Sequence, residues 1–598
     1  MPPIRLHTPL EPIGIRRARI DDEFWSPRRE IVRSRSIPHM EHQLRTGGQF
    51  DALRLSWRPG DPGEPHIFWE SDVGKWIEAA SYSLAWHPDP CLEDSIEEAI
   101  DLLAGAQQED GYLNVYFTVV RPGERFTDLR DAHELYCLGH LIEGAVAHYE
   151  VTGRTRFLDV VRRYADLVDR EFGPGGSCEG GYDGHEEIEL ALVRLARATD
   201  EDRYLDLAQR LVDARGTRPF YFEKEEAART RPGYFDGVFP LRPNQAERFR
   251  QYTQSHLPVR EQTEIVGHSV RALYLMSGVT DLAALRGDDC LLEAAQTLWE
   301  STTGTKMYVT AGVGTDPSIE GFSAPYDLPN ATGYAETCAS IALMMWAQRM
   351  GNLTGDSRYT DVLERALYNG VLSGMSADGT SYFYGNPLAS AGGRGRSEWF
   401  GVACCPPNLA RTLACLERYA YADSDDELAV HLYAAGSVST RAGGGAEVAV
   451  STRYPVSGEV RLDVAGTGTE WTLSLRVPSW SQATTLRING EAIDLDGVLD
   501  RGYARLTRRW GADDVVELVV DDSPRRVWAN PRVTEDLGRV SLARGPLVYC
   551  FEGVDNPGSA LGLVVPRDAA LGEEPDERTG VPAITVAGAS LPDDGALY

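Results

Sequence analysis

HELYCLGHLIEGAVAHYEVTGRTRFLDVVRRYADLV, residues 133–168, is the stretch that decides the fold class of this chain. It consists of two apolar-periodic segments separated by the short polar turn VTGRTR. Within each segment apolar residues recur at i, i+3, i+4 and i+7, the pattern of an α-helix with one buried face. The stretch therefore predicts a helical hairpin.

The same unit recurs along the first two-thirds of the chain. Further copies are recognised at about 72–107, 187–213, 268–301 and 338–372. Such hairpins bury their apolar faces only by stacking on one another, either in an open solenoid or in a closed ring. Long links rich in Gly and aromatic residues, at 111–126 and 310–334, favour the closed ring. Such long connections in a compact domain are usually functional loops. We therefore predict an (α/α)-type barrel.

The sequence pattern changes near Asp423. Downstream, a period-2 alternation of Val, Thr and Tyr is broken by Gly pairs, and Asn489-Gly490 is a two-residue hairpin signal. These features predict the strands of a β-sandwich, so the fold class is multidomain α+β. The expected boundaries are 26–423 for the barrel, 424–526 for the sandwich and 527–598 for a second sandwich or C-terminal segment.

Composition narrows the function classes. The formal net charge of −31 over 598 residues argues against nucleic acid and against an anionic membrane surface as partners, because both require a basic surface. No run of about 18 apolar residues predicts a membrane span, and the N-terminus lacks the apolar region of a secretory signal. Nine scattered cysteines are not a disulfide framework, so a reducing cytoplasm is the expected compartment.

Two short motifs concentrate sulfur. GYAETCAS contains Glu336 and Cys338, and GVACCPPN contains Cys404 and Cys405. Three thiols and one carboxylate form a complete tetrahedral set for zinc, but neither motif has the usual zinc spacing. Buried structural cysteines and a redox pair therefore remain alternatives at this point. The Pro406-Pro407 pair disfavours helix just before it, so we expect Cys405 to be extended.

Other residues are candidates for acid–base chemistry or sugar binding. Glu320 lies in the long loop VGTDPSIEGFSAPYD and is a reasonable general acid, although a solvated loop residue is the plainer interpretation. His140, His185 and His268 occupy comparable places in the helical repeats, either as ordinary core histidines or around one barrel mouth. Tyr384 belongs to a set of aromatics that could stack on sugars or simply pack in the core.

Taken together, these motifs resemble glycoside hydrolase family 127, the β-L-arabinofuranosidases and their relatives. The similar segments are FWESDVGKWIEA, DGYLNVYF, HELYCLGHLIEGAVAHYE, GHSVRALYL, ETCAS, LERALYNGVLSG and ACCPPNLAR, spanning about residues 68–412. RVSLARGPLVYC resembles the family's β-sandwich part. The resemblance implies an (α/α)6 barrel followed by β-sandwich domains. It also implies that N-terminal strands, within residues 1–25 here, join a sandwich.

The resemblance further implies the roles of particular residues. It implies a zinc ion held by Glu336, Cys338, Cys404 and Cys405, with Cys404 also the nucleophile. It places the general acid/base on the Glu that stands 16 residues before Glu336, which is Glu320. The positions similar to sugar-contacting residues are His140, His185, His268, Glu364 and Tyr384.

The implied activity is retaining exo-hydrolysis that releases β-L-arabinofuranose from the non-reducing end of an oligosaccharide. The alternatives are a related glycosidase acting on another furanose-like or branched acidic sugar, and a non-catalytic zinc-containing carbohydrate-binding protein. Because sandwich domains of the family can mediate dimers, a homodimer is a further expectation to test.

Overall fold

The amphipathic segments of the first two-thirds of the chain form α-helices. The computed structural model describes residues 10–236, 246–556 and 559–590. The α-helices are α1 (Trp25–Ile31), α2 (Ile37–Thr46), α3 (Gln49–Ala52), α4 (Trp69–Trp86), α5 (Pro90–Ala106), α6 (Glu134–Thr152), α7 (Arg156–Phe172), α8 (Ile188–Thr199), α9 (Asp202–Ala214), α10 (Tyr221–Ala228), α11 (Ala246–Tyr252), α12 (Ser269–Arg286), α13 (Asp289–Thr305), α14 (Thr337–Thr354), α15 (Ser357–Arg365), α16 (Cys405–Ala414) and α17 (Glu417–Ala420). Short π-helical segments occur at Val32–Ser36, Tyr116–Val120 and Ala366–Val371.

The hairpin predicted at 133–168 is confirmed as α6 and α7. Gly153 ends α6 in a left-handed conformation, with φ of 73°, which a glycine adopts without strain. Helix α6 is buried nearly all round, whereas α7 has one buried and one exposed face. A helix that is apolar on all sides belongs to the interior, so α6 is an inner helix and α7 covers it.

Six helices pack in a closed succession. In order these helices are α4, α6, α8, α12, α14 and α16, and each contacts the next. Helix α16 contacts both α14 and α4, so the succession returns to its first member. Helices α5, α7, α9, α13 and α15 follow the first five of them as the second arms of hairpins. Within the described residues, no helix is both long and apolar enough to cross a membrane.

The last third of the chain is built from β-strands, which two short strands near the N-terminus join. The strands are β1 (Glu11–Pro12), β2 (Ala18–Ile20), β3 (Tyr421–Asp423), β4 (Glu427–Val430), β5 (Gly436–Ser439), β6 (Glu447–Thr452), β7 (Glu459–Ala465), β8 (Glu470–Arg476), β9 (Thr484–Ile488), β10 (Glu491–Ile493), β11 (Leu499–Asp500), β12 (Tyr503–Arg509), β13 (Asp514–Val520), β14 (Arg525–Val527), β15 (Ser541–Arg544), β16 (Leu547–Tyr549), β17 (Leu563–Val564), β18 (Leu571–Glu574), β19 (Ala583–Val586) and β20 (Ala589–Ser590).

Two large sheets form the main β-structure. One has the order β1-β3-β4-β8-β12-β11, in which only β4 and β8 run parallel, and the other is the antiparallel sheet β10-β9-β13-β7-β6-β5-β2. Alternate residues of both sheets belong to one hydrophobic core, the arrangement of a sandwich. The N-terminal strands β1 and β2 each add to one sheet. Residues 1–9 of the predicted N-terminal segment lie outside the described residues.

The C-terminal segment forms smaller sheets. Strands β14, β15 and β16 make one antiparallel sheet, and β17–β20 and β18–β19 are isolated pairs. The two-stranded sheets show little burial. Residues 557–558 and 591–598 of the segment predicted at 527–598 lie outside the described residues.

Candidate metal centre and active site

Four side chains bring their donor atoms together at the starts of two inner helices. One ligand atom from each of Glu336, Cys338, Cys404 and Cys405 lies within 4.8 Å of the others. Glu336 is the N-cap of α14 and Cys338 lies in its first turn, while Cys404 is the N-cap of α16 and Cys405 begins it. Helix N-termini carry partial positive charge and favour carboxylate and thiolate. The packing of α14 on α16 therefore unites the two sulfur-containing motifs.

The distances identify separate thiols rather than a disulfide. Cys338 Sγ lies 3.3 Å from Cys405 Sγ, and Cys404 Sγ lies 3.8 Å from Cys405 Sγ. Glu336 Oε1 lies 3.7 Å from Cys404 Sγ. A disulfide bond measures about 2.05 Å, so all nine cysteines are free. The group thus presents three sulfurs and one oxygen as independent donors.

The electrostatics of these donors call for a cation. Burial raises the pKa of Glu336 well above its ordinary value, and the negative charges of Cys404 and Glu320 add to the effect. Burial and hydrogen bonds to the neighbouring thiols likewise raise the pKa of Cys405. Among the described residues, Glu336 Oε2 has no hydrogen-bond partner although it is buried. Because buried anionic groups without donors are costly, this donor set fits a bound metal ion.

Only one of the four donors is open to a substrate. Glu336, Cys338 and Cys405 are at most 2 % exposed, whereas Cys404 is half-buried. The Tyr384 hydroxyl lies 3.0 Å from Cys404 Sγ and is also half-buried. Cys404 is therefore the one donor of the four that is not fully buried.

The expectation that Cys405 is extended is wrong. Cys404 has helical backbone angles, φ −64° and ψ −38°, and Cys405 is the first residue of α16. Pro406 and Pro407 follow within the first turn, where backbone N–H groups have no intrahelical acceptor. The missing N–H groups of the prolines therefore cost nothing here, and the local bias of a residue before proline is overridden.

Glu320 lies beside the thiol group and is held by two donors. Tyr334 donates its hydroxyl to Oε1 at 2.6 Å, and His268 Nε2 lies 3.1 Å from Oε2. The backbone N–H of Arg271 donates to His268 Nδ1, so Nε2 carries the proton that His268 donates. Burial raises the pKa of Glu320, but the His268 and Tyr334 hydrogen bonds outweigh it and leave the pKa below its ordinary value. Ligand atoms of Glu320, His268 and Glu336 lie within 4.8 Å of one another.

The three predicted histidines lie in one run of neighbouring rings, in the order His140, Tyr136, His185 and His268. The Tyr136 ring centroid lies 4.5 Å from that of His140 and 4.3 Å from that of His185. The centroid of His185 is in turn 5.4 Å from that of His268. Burial lowers the pKa of all three imidazoles and so favours their neutral form. His268 is the N-cap of α12 and His185 precedes α8, whereas His140 lies in the second turn of α6 and is fully buried, so their sugar contact stays a prediction.

Glu364 is not brought to this group, and its expected sugar contact is corrected. Its carboxylate forms a buried ion pair with Arg476. Tyr454 donates to Oε1 at 2.5 Å, and Trp480 Nε1 donates to Oε2 at 3.0 Å. These three partners come from the sandwich region, so Glu364 joins the helical and β-structures instead of facing a substrate.

Sequence reasoning missed two features of the site. Tyr334 stands two residues before Glu336, and its place in the GYAETCAS motif is a signal that could have revealed it. Lys75, one of only three lysines in the chain, is buried on α4, with Nζ 3.8 Å from Asp72 Oδ1 and 5.2 Å from the Tyr136 ring centroid. A lysine in a chain whose basic residues are otherwise almost all arginine is itself a signal of a site residue, because lysine is rarely buried.

Models of known protein families match the chain over most of its length. The family model described as β-L-arabinofuranosidase, GH127 catalytic domain, matches residues 18–418. The GH127 middle domain matches 427–521, and the glycoside hydrolase family 127 C-terminal domain matches 524–587. The fold and the site are thus those of a glycoside hydrolase, an enzyme that acts on carbohydrate. The chain belongs to glycoside hydrolase family 127.

Individual relatives are similar over nearly the whole chain. A non-reducing end β-L-arabinofuranosidase of Bifidobacterium longum subsp. longum is 38 % identical over 564 residues, covering 89 % of this chain and 84 % of the relative. The crystal structure of a GH127 β-L-arabinofuranosidase from Geobacillus stearothermophilus T6 has a TM-score of 0.91 and 42 % identity, covering 97 % of this chain and 94 % of that one. A second solved structure, a GH127 β-arabinofuranosidase, has a TM-score of 0.89 and 35 % identity, covering 98 % and 93 %.

Proposed function

We propose that this enzyme is a retaining exo-glycosidase that releases β-L-arabinofuranose from the non-reducing end of an oligosaccharide. The observation that carries the proposal is the pattern of exposure at the site. Cys404 is the half-buried member of an otherwise buried donor set, and the nearby Glu320 side chain is 29 % exposed. Of the five residues assigned to metal binding and catalysis, the two assigned to the reaction are therefore the two that are not fully buried. The names of the relatives supply the sugar.

The metal of this proposal is zinc, held by Glu336, Cys338, Cys404 and Cys405. A zinc ion with Zn–S bonds of about 2.3 Å in a tetrahedron separates its sulfurs by about 3.8 Å. The Cys404–Cys405 sulfur distance of 3.8 Å agrees with this, and the Cys338–Cys405 distance of 3.3 Å is somewhat shorter. When bound, zinc would keep its thiol ligands deprotonated and so supply a thiolate at neutral pH.

The chain's own residues then divide the reaction into two steps. In the first, the Cys404 sulfur attacks the anomeric carbon, while Glu320 donates a proton to the leaving oxygen as the glycosidic bond breaks. In the second, Glu320 takes a proton from water, and that water displaces the sulfur from the same carbon. Two inversions at one carbon retain its configuration, as in glycosidases that use a carboxylate nucleophile. The donors His268 and Tyr334 favour the carboxylate form of Glu320 that the second step requires.

The helical domain provides the chamber for this chemistry. We propose that the closed succession of inner helices, with the outer helices around it, is an (α/α)6 barrel. The N-caps of α12, α14 and α16 are His268, Glu336 and Cys404, so one end of the barrel carries the site. His140, His185, His268 and Tyr384 are the proposed sugar contacts around it.

Two substitutions test the assignment of roles. Glu320→Gln removes acid–base catalysis and should lower kcat by about 10²–10⁴-fold on an alkyl β-L-arabinofuranoside, whose leaving group needs a proton. Cys404→Ser should abolish turnover, and circular dichroism should show an unchanged fold. Cys415→Ser, a buried cysteine at the end of α16 outside the donor set, is the matched control and should remain active.

The substrate and the stereochemistry need separate measurements. A panel of nitrophenyl furanosides and pyranosides should show highest kcat/KM for β-L-arabinofuranoside, and NMR of the initial product should show the β-anomer. A higher kcat/KM for another sugar would show that the assigned substrate is wrong, and it would leave the proposed mechanism unchanged. Binding without turnover of every glycoside would instead indicate a carbohydrate-binding protein.

A further inference from the structure

Glu320 is held at its main chain by Ser269 and at its carboxylate by two side-chain donors. Its backbone is left-handed, with φ of 50°, and its carbonyl accepts hydrogen bonds from Ser269 N at 3.0 Å and Ser269 Oγ at 2.8 Å. These contacts fix the main chain at the start of α12. The flexible side chain beyond it has two donors, His268 on one oxygen and Tyr334 on the other.

Tyr334 binds the carboxylate oxygen of Glu320 that His268 does not bind. Its own backbone is fixed, because its carbonyl accepts a hydrogen bond from Asn386 N at 3.0 Å. Its ring centroid lies 6.0 Å from that of Tyr384, whose hydroxyl contacts Cys404 Sγ at 3.0 Å. Two neighbouring tyrosines thus connect the carboxylate of Glu320 to the sulfur of Cys404.

We propose that Tyr334 is a positioning residue that holds Glu320 where it can protonate the leaving oxygen while Cys404 attacks the same sugar. The inference rests on the proposed function of this site. Tyr334 keeps its own proton throughout. The proton on the leaving oxygen comes from Glu320, the electron pair of the broken C–O bond goes to that oxygen, and the proton lost from water returns to Glu320.

A residue that acts through the general acid matters most when the leaving group needs a proton. A nitrophenolate leaves readily without one, whereas an alkoxide does not. Tyr334→Phe should therefore lower kcat/KM for methyl β-L-arabinofuranoside by about 10–10²-fold more than for 4-nitrophenyl β-L-arabinofuranoside, since a misplaced catalytic group costs up to about 10²-fold. The quantity compared is the ratio of kcat/KM for the 4-nitrophenyl glycoside to kcat/KM for the methyl glycoside. Both values are measured in one enzyme preparation, so the ratio does not depend on the fraction of the enzyme that is folded.

Two matched variants complete the experiment. Tyr308→Phe removes a hydroxyl that donates to Pro329 O at 2.9 Å in the same long loop, and it should leave the ratio unchanged. Tyr384→Phe removes the phenol that contacts the nucleophile, and it should slow both substrates by a similar factor. The expected rise in the ratio for Tyr334→Phe alone supports the positioning role. An unchanged ratio in Tyr334→Phe, whether the overall rate falls or not, would overturn it.

The same measurements separate this inference from the proposed function. If wild-type enzyme prefers another sugar, the assigned substrate is wrong, and the ratio is then measured on methyl and nitrophenyl glycosides of that sugar. The ratio for Tyr334→Phe still decides whether Tyr334 acts through Glu320. In the Glu320→Gln background, Tyr334→Phe should add no further change in the ratio, because the general acid through which Tyr334 acts is already absent.

Discussion

At the residue scale, the adjacent cysteines have different environments although they are neighbours in the chain. Cys405 is fully buried at the first position of α16, and Cys404 is half-buried at the N-cap. An N-cap residue lies at the edge of the helix and presents its side chain to the site, whereas the next residue is covered by packing. The one-residue step from cap to helix thus separates a fully buried donor from a half-buried one.

Cys338 provides the first test at this scale. Cys338→Ser replaces a soft sulfur by a weakly coordinating hydroxyl, so we expect the zinc content to fall from about one ion per chain to well below half. Elemental analysis of purified protein measures it. Cys415→Ser should keep its metal. Wild-type zinc content in Cys338→Ser would contradict the assigned ligand set.

At the scale of elements, close approach of inner helices places the site residues. A Cβ on Gly74 of α4 would lie 2.8 Å from the backbone oxygen of His140 on α6. A Cβ on Gly144 of α6 would lie 2.6 Å from the backbone oxygen of Gly74. These two glycines therefore let the helices that carry Lys75 and His140 touch backbone to backbone.

Gly74→Ala tests this contact. The added methyl has only backbone to push against, so the helices must separate, and we expect a loss of about 1–3 kcal/mol in the free energy of unfolding. Gly105→Ala on α5 is the control, because a Cβ there meets nothing within 4 Å. That control should be unchanged or about 1 kcal/mol more stable, since alanine favours helix. Urea denaturation compares the two, and equal stabilities would argue against the close approach.

At the scale of the whole molecule, buried charge joins the helical part to the sandwich. Arg476 of β8 is 0 % exposed and pairs with Glu364 and with Asp361, the latter at 2.6 Å, both on α15. The burial of this pair is compensated by further donors from Tyr454 and Trp480. The sandwich therefore supports an outer helix of the helical domain at a fixed position.

Glu364→Ala should reveal a structural role. Removal of one partner leaves the buried charge of Arg476 under-compensated, so we expect a loss of about 3 kcal/mol in the free energy of unfolding with KM unchanged. Glu300→Ala breaks an exposed pair with Arg358 and should cost at most about 1 kcal/mol. Chemical denaturation and steady-state kinetics measure both effects. A raised KM at wild-type stability would restore Glu364 to the sugar-binding residues.

The sequence by itself determined the helices and strands and the types of side chain available as donors. Apolar periodicity predicts the hairpins because burial of one helix face depends on local spacing, and the change of period near Asp423 marks the start of the strands. The two sulfur motifs identify the donor types, and residue chemistry alone limits what those donors can bind. Pattern and composition carry this much because both are properties of short segments.

Only the tertiary structure decided which residues meet. Packing of α14 on α16 brings Glu336 to Cys404, and the loop before Glu336 places Tyr334 on Glu320. Cys405 is helical against its local bias at the start of α16, and packing of the sandwich against α15 turned Glu364 toward Arg476. These outcomes depend on contacts between residues far apart in the chain, and burial energies between whole elements exceed the small local preferences that a sequence displays.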